Sequence, residues 1–232
     1  RIVHLEPVMW YNDWPICGHV GDPLLAGAPV SEADYPLDVK TNYKIDLNDN
    51  FKDNKLSLLW QTQANPKKYW FSFNKGLVLN CIKTDACDLH LVPQILTQKV
   101  PALEFDTKTL IELDNLKEND AVGFTMMGTN YTYIEIKRID NKLELSLYEG
   151  SFNTHDICVF KEEYQDNKII LGLKARNEAI YDLRYQYTIN GKEIEKSYLA
   201  SAGRWIGATY GLYARGNGGS ALVKYFNTTK LK

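Results

Sequence analysis

Residues 103–113 read Leu-Glu-Phe-Asp-Thr-Lys-Thr-Leu-Ile-Glu-Leu, and their side chains alternate between two kinds. The odd-numbered positions are apolar or threonine, and all but one of the even-numbered positions are charged. Because successive side chains of a β-strand point to opposite faces of a sheet, this period of two predicts a strand that is buried on one face and exposed on the other. Acidic side chains on the polar face of such strands are expected to be solvated, namely Glu104, Asp106, Glu112, Glu135 and Glu144.

The same alternation recurs through most of the chain. It returns at 132–136, 143–147, 169–173, 181–189 and 208–214, with turn signals between the runs at Asp140-Asn141, Asn190-Gly191 and Gly216–Gly219. Asn190-Gly191 is the strongest hairpin signal, and Gly216–Gly219 is interpreted as a second hairpin loop. Helical periodicity is nearly absent and no internal repeat is visible. The pattern predicts an all-β fold, either a two-sheet antiparallel β-sandwich or a barrel, and argues against a complete propeller.

The first 50 residues have a different composition. They hold five of the 8 prolines of the chain and one strand-like run, Ile2–Leu5, followed by extended sequence that resembles a linker. We therefore divide the chain into a segment 1–45, which is too poor in periodic apolar sequence to fold alone, and a sandwich domain 46–232. The chain starts with Arg1 rather than methionine, so we expect a C-terminal piece of a longer protein.

Composition and charge exclude several function classes. The chain has 232 residues with 27 Lys and Arg against 29 Asp and Glu, a formal net charge of -2, which argues against a nucleic-acid partner. No apolar run approaches the ~18 residues of a membrane span, so no membrane partner is expected. The four cysteines, Cys17, Cys81, Cys87 and Cys158, lack the spacing of a metal site. Free buried thiols are favoured over a disulfide. The cysteines do not decide the redox compartment, and an extracytoplasmic location, periplasmic or secreted, is favoured over a cytoplasmic one.

Motifs that carry chemistry are also missing from the sequence. It contains no nucleophile elbow, zinc-protease helix, phosphate-binding loop or dinucleotide fingerprint, so we predict no catalytic residue, metal or cofactor. His4 lies in a strand-like run and is interpreted as structural. Asp46–Asn50 has oxygen-bearing side chains at alternate positions, as in the first half of a calcium-binding loop. Phe51 occupies the position at which such a loop needs glycine, so a solvated turn is the favoured interpretation.

Aromatic side chains are the most informative candidates, because sugar rings stack on exposed aromatic faces. Trp60 and Trp70 are possible sugar-stacking residues, although a role in the core of the sandwich is the favoured interpretation. Trp205 differs because it lies between Gly203 and Gly207 in a loop-like stretch, next to Arg204. A surface or pocket role is open for it.

An ordered series of short motifs resembles one enzyme family. The series consists of Asn48–Phe51, Leu58–Gln61, Asn65-Pro66, Trp70, Gly76–Leu79, Leu96–Gln98, Val122–Phe124, Gly128, Tyr131–Ile136, Gly203–Ala208 and Gly211-Leu212. It is similar to the C-terminal concanavalin A-like β-sandwich, a jelly roll, of glycoside hydrolase family 43, the β-xylosidases and α-L-arabinofuranosidases. The beginning, Arg1–Val8 with Trp10 and Trp14-Pro15, resembles the closing strand of that family's catalytic propeller.

The resemblance implies an accessory role. The catalytic carboxylates of the parent would lie on an N-terminal propeller outside this sequence, and the parent would hydrolyse xylosyl or arabinosyl units of plant-cell-wall oligosaccharides with inversion. One loop of the sandwich reaches the substrate pocket in such β-xylosidases, and its aromatic corresponds to Trp205, with Arg204 beside it. The sequence departs from the family at Arg204, where a second aromatic is usual, and at Leu222 and Lys224, where aspartate is common.

Three other functions stay open from the residues alone. An autonomous carbohydrate-binding module predicts a row of exposed aromatics. A purely structural sandwich predicts that Trp205 is packed inside the domain. A complete small enzyme would need two carboxylates at glycosidase spacing in one cleft.

Overall fold

A computed structural model describes residues 5–19, 24–34, 45–84, 88–152, 154–179 and 182–231. The chain divides into two compact units, Arg1–Ile45 and Asp46–Lys232. The first unit contains an antiparallel hairpin of β1 (Val8–Tyr11) and β2 (Trp14–Cys17). Residues 1–4 lie outside the described part of the chain, so the predicted strand Ile2–Leu5 is described only at Leu5, and His4 is not described.

The second unit is built from strands, with one short 3-10 helix η1 (Leu89–Leu91) among its described residues. The strands are β3 (Gln61–Thr62), β4 (Phe71–Phe73), β5 (Leu77–Asn80), β6 (Leu96–Lys99), β7 (Phe105–Glu112), β8 (Ala121–Met127), β9 (Asn130–Ile139), β10 (Lys142–Ser151), β11 (Ile157–Tyr164), β12 (Lys168–Ala179), β13 (Asp182–Ile189), β14 (Lys192–Leu199), β15 (Thr209–Arg215) and β16 (Ser220–Lys230).

These strands form two 7-stranded antiparallel sheets. Sheet one has the order β11-β10-β9-β8-β15-β6-β3, and sheet two has the order β14-β13-β12-β7-β16-β5-β4. Each inner face contributes every second side chain to a shared apolar core, as the period of two predicts. Phe124 of sheet one, for example, contacts Phe226 of sheet two with ring centroids 5.9 Å apart. The predicted all-β, two-sheet antiparallel sandwich is confirmed.

Strand β7 shows the predicted alternation in detail. Phe105, Thr107, Thr109 and Ile111 are buried, and the polar side chains between them are at least partly exposed. Leu103 differs from the prediction because it precedes the strand and is 63% exposed. The boundary of a strand depends on its hydrogen-bonded partners, which the local pattern does not contain.

The two glycine-rich turn signals have different outcomes. Asn190 and Gly191 have positive φ values of 50° and 82° and join β13 to β14 as a hairpin, as predicted. The Gly216–Gly219 stretch is not a hairpin loop, because β15 belongs to sheet one and β16 to sheet two. It crosses between the sheets around the buried carboxylate of Asp120, which accepts hydrogen bonds from the Lys117 and Asn217 amides.

The outer face of sheet one is covered, which the alternating pattern did not predict. Leu89, Val92 and Ile95 of the segment 88–95 pack on side chains of this face in a second apolar cluster with Met127, Tyr131, Tyr133 and Tyr213. Strand β9 is therefore buried on both faces over most of its length. The expectation that Glu135 is solvated is wrong, since this residue is 2% exposed.

Candidate functional site

The loop that joins β14 to β15 carries the predicted site residues Arg204 and Trp205. Trp205 is 69% exposed and Ile206 is 54% exposed, so two large apolar side chains stand next to each other on the surface. The Arg204 guanidinium lies over the indole of Trp205, with its central carbon 6.0 Å from the ring centroid. A cationic group at this distance from an aromatic face is attracted by the ring quadrupole, which favours one arrangement of the pair.

The base of this loop is bound to the turn between β8 and β9. The Thr129 amide and hydroxyl both donate to the Ala202 carbonyl oxygen, at 3.0 and 2.9 Å. The Ser201 hydroxyl accepts from the Asn130 amide and donates to the Asn130 carbonyl oxygen, both at 2.8 Å. Four hydrogen bonds thus connect the start of the loop to sheet one and leave Arg204 and Trp205 beyond the anchored part.

Gly128 and His90 stabilise the hydrogen bonds between the base of the loop and the β8–β9 turn. A Cβ on Gly128 would overlap the Ser201 carbonyl oxygen, so only glycine permits the close approach of the two chains. The His90 ring contacts the Gly128 carbonyl oxygen through Nε2 at 2.7 Å and the Asp88 carboxylate through Nδ1 at 2.8 Å. Asp88 also accepts from the His90 amide, which makes it the N-terminal cap of η1.

A cavity of about 450 Å³ lies between the loop, the β8–β9 turn and η1. Its wall is mostly apolar, with Phe152, Met127 and Ile206 among the lining residues. Its polar groups come from Arg204, Gln63 and the residues of the turn. Trp205 does not belong to this wall. The loop therefore has two different parts, one that lines the cavity and one that carries the exposed indole.

The other two tryptophans that the sequence suggested lie in the core. Trp60 is 9% exposed, contacts Phe226 edge-on at 4.8 Å and donates from its indole nitrogen to Asp49 at 2.9 Å. Trp70 is 6% exposed. Because neither indole presents an open face, the structure shows the packing role rather than sugar stacking, and it does not bring these residues to the Trp205 loop.

The oxygen-rich stretch Asp46–Asn50 binds the protein's own backbone. Asp46 accepts from the Asn48 amide at 2.9 Å and Asp49 accepts from the Phe51 amide at 2.9 Å, which is the geometry of Asx turns. The described residues contain no group of three or more histidine, cysteine, aspartate or glutamate side chains that could hold a metal ion. No helix in the described part of the chain is long and apolar enough to cross a bilayer.

Sequence reasoning missed a buried polar network on the outer face of sheet one. The Glu135 carboxylate accepts from the Tyr213 hydroxyl at 2.8 Å and from Arg215 at 2.8 and 3.0 Å. The hydroxyls of Tyr131 and Tyr133 both donate to Asp156. Burial opposes the charged form of Arg215, but the Glu135 carboxylate outweighs it, so the pKa of Arg215 is raised. This network ties sheet one to its covering segments.

The described cysteines are free thiols. Cys17 and Cys158 are exposed and Cys81 is buried, where burial raises the pKa of its thiol. Cys87 lies outside the described residues. Buried Cys81 packs in the core between the sheets as a small apolar side chain.

The fold agrees with a family comparison. The family model described as "Beta xylosidase C-terminal Concanavalin A-like domain" matches residues 48–229. The chain belongs to this family. The concanavalin-like sandwich of a family 43 glycoside hydrolase, which the motif series from Asn48 to Leu212 indicated, is thereby confirmed.

The relatives of this concanavalin-like domain are longer than the chain itself. A protein assigned as a beta-xylosidase in Xylanibacter ruminicola is 25% identical over 218 residues, which cover 91% of this chain and 39% of the relative. A Beta-xylosidase of Formosa agariphila is 22% identical over 237 residues, with 90% and 39% covered. The chain thus spans about two fifths, 39%, of the curated relatives it matches.

A solved structure shows the same fold. It belongs to a family 43 glycoside hydrolase whose engineered active site displays endo-xylanase and exo-arabinofuranosidase activity. The TM-score is 0.72 at 17% identity, with 98% of this chain and 48% of that chain covered. The two-sheet arrangement found here therefore recurs in an enzyme of the family.

Proposed function

We propose that this chain is the accessory domain of a family 43 glycoside hydrolase and that Trp205, with Arg204, forms part of the wall of the parent's substrate pocket. In this proposal the catalytic carboxylates belong to an N-terminal propeller, and the parent hydrolyses xylosyl or arabinosyl units of plant-cell-wall oligosaccharides. The observation that carries the proposal is the 69% exposure of Trp205 on a loop whose base is held by four hydrogen bonds.

The exposure of Trp205 and the hydrogen bonds at the base of its loop together support a role in contact with a ligand rather than in the core of the sandwich. Trp205 and the adjacent Ile206 together present apolar surface to water, and covering this surface with a ligand or a partner is favourable. The anchored base limits the positions that the indole can take, so the entropy lost when a substrate meets it is small. A purely structural sandwich predicts a packed Trp205, which differs from the exposure of this side chain.

The segment 1–45 is proposed to be the last part of the propeller together with a linker. Support comes from its hairpin, on which Trp10, Tyr11 and Trp14 are 69%, 63% and 72% exposed. A two-stranded hairpin is marginal in water by itself, and exposed aromatics of this size need a surface that covers them. A catalytic propeller, whose blades are sheets, would provide such a surface.

Replacement of Trp205 in the enzyme that carries this chain and its propeller tests the pocket-wall role. We expect Trp205→Ala to raise KM or lower kcat for disaccharides by about tenfold, since one aromatic contact is lost, and Trp205→Phe to retain most activity. Steady-state kinetics on xylobiose and on an arabinosyl substrate provide the measurement, and the midpoint of thermal unfolding shows whether the fold is intact.

Tyr69→Ala is the matched control, because Tyr69 is an exposed aromatic, at 59%, outside the loop. This variant should turn over substrate as the parent does. Unchanged kinetics in Trp205→Ala, or unfolding of that variant, would contradict the pocket-wall proposal.

A further inference from the structure

The cavity beneath the Trp205 loop has the features of a small-molecule site. Its volume of about 450 Å³ falls within the range of roughly 300–1,000 Å³ that is typical of ligand pockets. Such pockets combine a mostly apolar wall with a few polar groups that fix the orientation of the ligand. Both elements are present, and both come from residues of the sandwich alone.

Phe152 supplies an apolar face on the wall. It follows strand β10 and is 57% exposed, and its amide donates to the Thr129 carbonyl oxygen at 3.3 Å. The His90 ring meets the phenyl ring at 5.7 Å and 68°, an edge contact that leaves part of the aromatic surface open to the cavity. Together with Ile206, this phenyl ring offers a surface for the CH groups of a sugar.

Arg204 supplies the hydrogen-bond donors. Its guanidinium forms no salt bridge with any described residue, and its central carbon lies 6.0 Å from the ring centroid of Trp205. The guanidinium carries five N–H donors, which can bind ligand oxygens. None of the described residues that line the cavity is a carboxylate, so this cation has no competing partner there.

Gln63 supplies an acceptor on another part of the wall. Its Nε2 group is directed at the carbonyl oxygens of Leu89, His90 and Val92, at 3.3, 3.2 and 3.1 Å. This cluster determines which end of the amide faces the protein, so the carbonyl oxygen Oε1 points the other way. Both ring nitrogens of His90 are already engaged, and this residue therefore serves as wall rather than as a ligand group.

We infer that this cavity is a saccharide-binding site of the sandwich itself, with Phe152 as the stacking face and Arg204 and Gln63 as partners of the sugar hydroxyls. The site shares Arg204 with the pocket wall proposed above, but its stacking face is Phe152 rather than Trp205, and no residue of a propeller is needed. The inference goes beyond the proposed function, and either can fail without the other.

Binding of xylobiose to this chain, without any substrate turnover, tests the inference. We expect saturable binding with a dissociation constant of about 1 mM. A heteronuclear NMR titration measures it through the chemical-shift changes of the Thr129, Gly203 and Thr209 amides. Phe152→Ala and Arg204→Gln should each weaken the binding about tenfold. Both side chains are exposed, so neither substitution removes core packing.

Two controls make the result specific. Tyr69→Ala removes an exposed aromatic outside the cavity and should bind xylobiose as the parent does. Glycerol at equal concentration offers hydroxyls without a sugar ring and should leave the three amides unshifted.

Three outcomes would overturn the inference. The first is the absence of xylobiose binding to folded protein at tens of millimolar. The second is binding that Phe152→Ala leaves unchanged. The third is a set of shifted amides elsewhere on the sandwich.

Discussion

At the scale of single residues, burial separates side chains that share the same sequence pattern. Glu135 and Glu144 both occupy alternating positions of neighbouring strands, yet Glu135 is 2% exposed and Glu144 is partly exposed at its salt bridge with Lys161. The difference arises because segment 88–95 covers one part of the outer face of sheet one. A carboxylate in such a place must have donors, and Arg215 and Tyr213 provide them.

The first prediction concerns this buried pair. Glu135→Gln removes the negative charge and leaves the Arg215 guanidinium, whose side chain is 21% exposed, without its counter-ion. We expect the free energy of unfolding to fall by about 3 kcal/mol, because an unpaired buried charge is strongly destabilising. Urea unfolding followed by tyrosine and tryptophan fluorescence gives the value.

Glu163→Gln is the control for this experiment, since the Lys142–Glu163 pair is exposed and screened by solvent. Its unfolding midpoint should barely move. Equal midpoints for Glu135→Gln and the parent would mean that the pair does not stabilise the folded state.

At the scale of elements, the position of the Trp205 loop depends on the β8–β9 turn. The Ala202 carbonyl oxygen of the loop accepts from Thr129, and the neighbouring Ser201 exchanges two further hydrogen bonds with Asn130. Gly128 allows the approach, and His90 holds the Gly128 carbonyl oxygen from the other side. A substitution that prevents the close approach of Gly128 and Ser201 should therefore detach the Trp205 loop from the β8–β9 turn.

Gly128→Ala tests this dependence. The added Cβ overlaps the Ser201 carbonyl oxygen, so we expect the loop to detach and trypsin to cleave after Arg204 about tenfold faster. Gly207→Ala, in the same loop, is the matched control because nothing lies within 4 Å of its added Cβ. Mass spectrometry of the early cleavage products measures both rates. The anchoring model fails if the Gly128 variant is cleaved after Arg204 no faster than the control.

At the scale of the whole domain, phenol groups connect the two sheets. The Tyr187 hydroxyl of sheet two lies within 3.0 Å of the Met126 amide and 2.8 Å of the Thr132 carbonyl oxygen of sheet one. Burial raises the pKa values of Tyr187 and Tyr213 well above their ordinary value of 10.0. The folded domain thus holds these phenols in their neutral form.

Stability should consequently decrease at alkaline pH. Below the unfolded pKa of about 10 both states keep the phenolic protons and the stabilisation is complete. Above it the unfolded chain loses protons first, so the free energy of unfolding falls with rising pH until the folded pKa is passed. Urea unfolding at pH 8, 10 and 11, with phenolate absorbance at 295 nm, measures this decrease. An unfolding free energy that stays constant from pH 8 to 11 would contradict it.

Local sequence was sufficient for the fold class and for the position of Trp205 in a loop. The alternation in 103–113 and the Asn190-Gly191 turn depend on neighbouring residues, and the structure reproduces both. The motif series that ends near Leu212 led to the family. Gly203 and Gly207 also indicated that Trp205 lies in a loop, because two glycines so close together are unusual inside a strand.

Long-range packing decided the remaining features. Period-two alternation reports on which side of a strand a residue lies but not on what covers that side, so the burial of Glu135 could not be read from it. Likewise, Trp60 and Trp205 are the same residue type, and only the contact of one with Phe226 and the open position of the other distinguish core from surface. The cavity joins Gln63, Phe152 and Arg204 from three distant segments, and such a site exists only once these segments have come together.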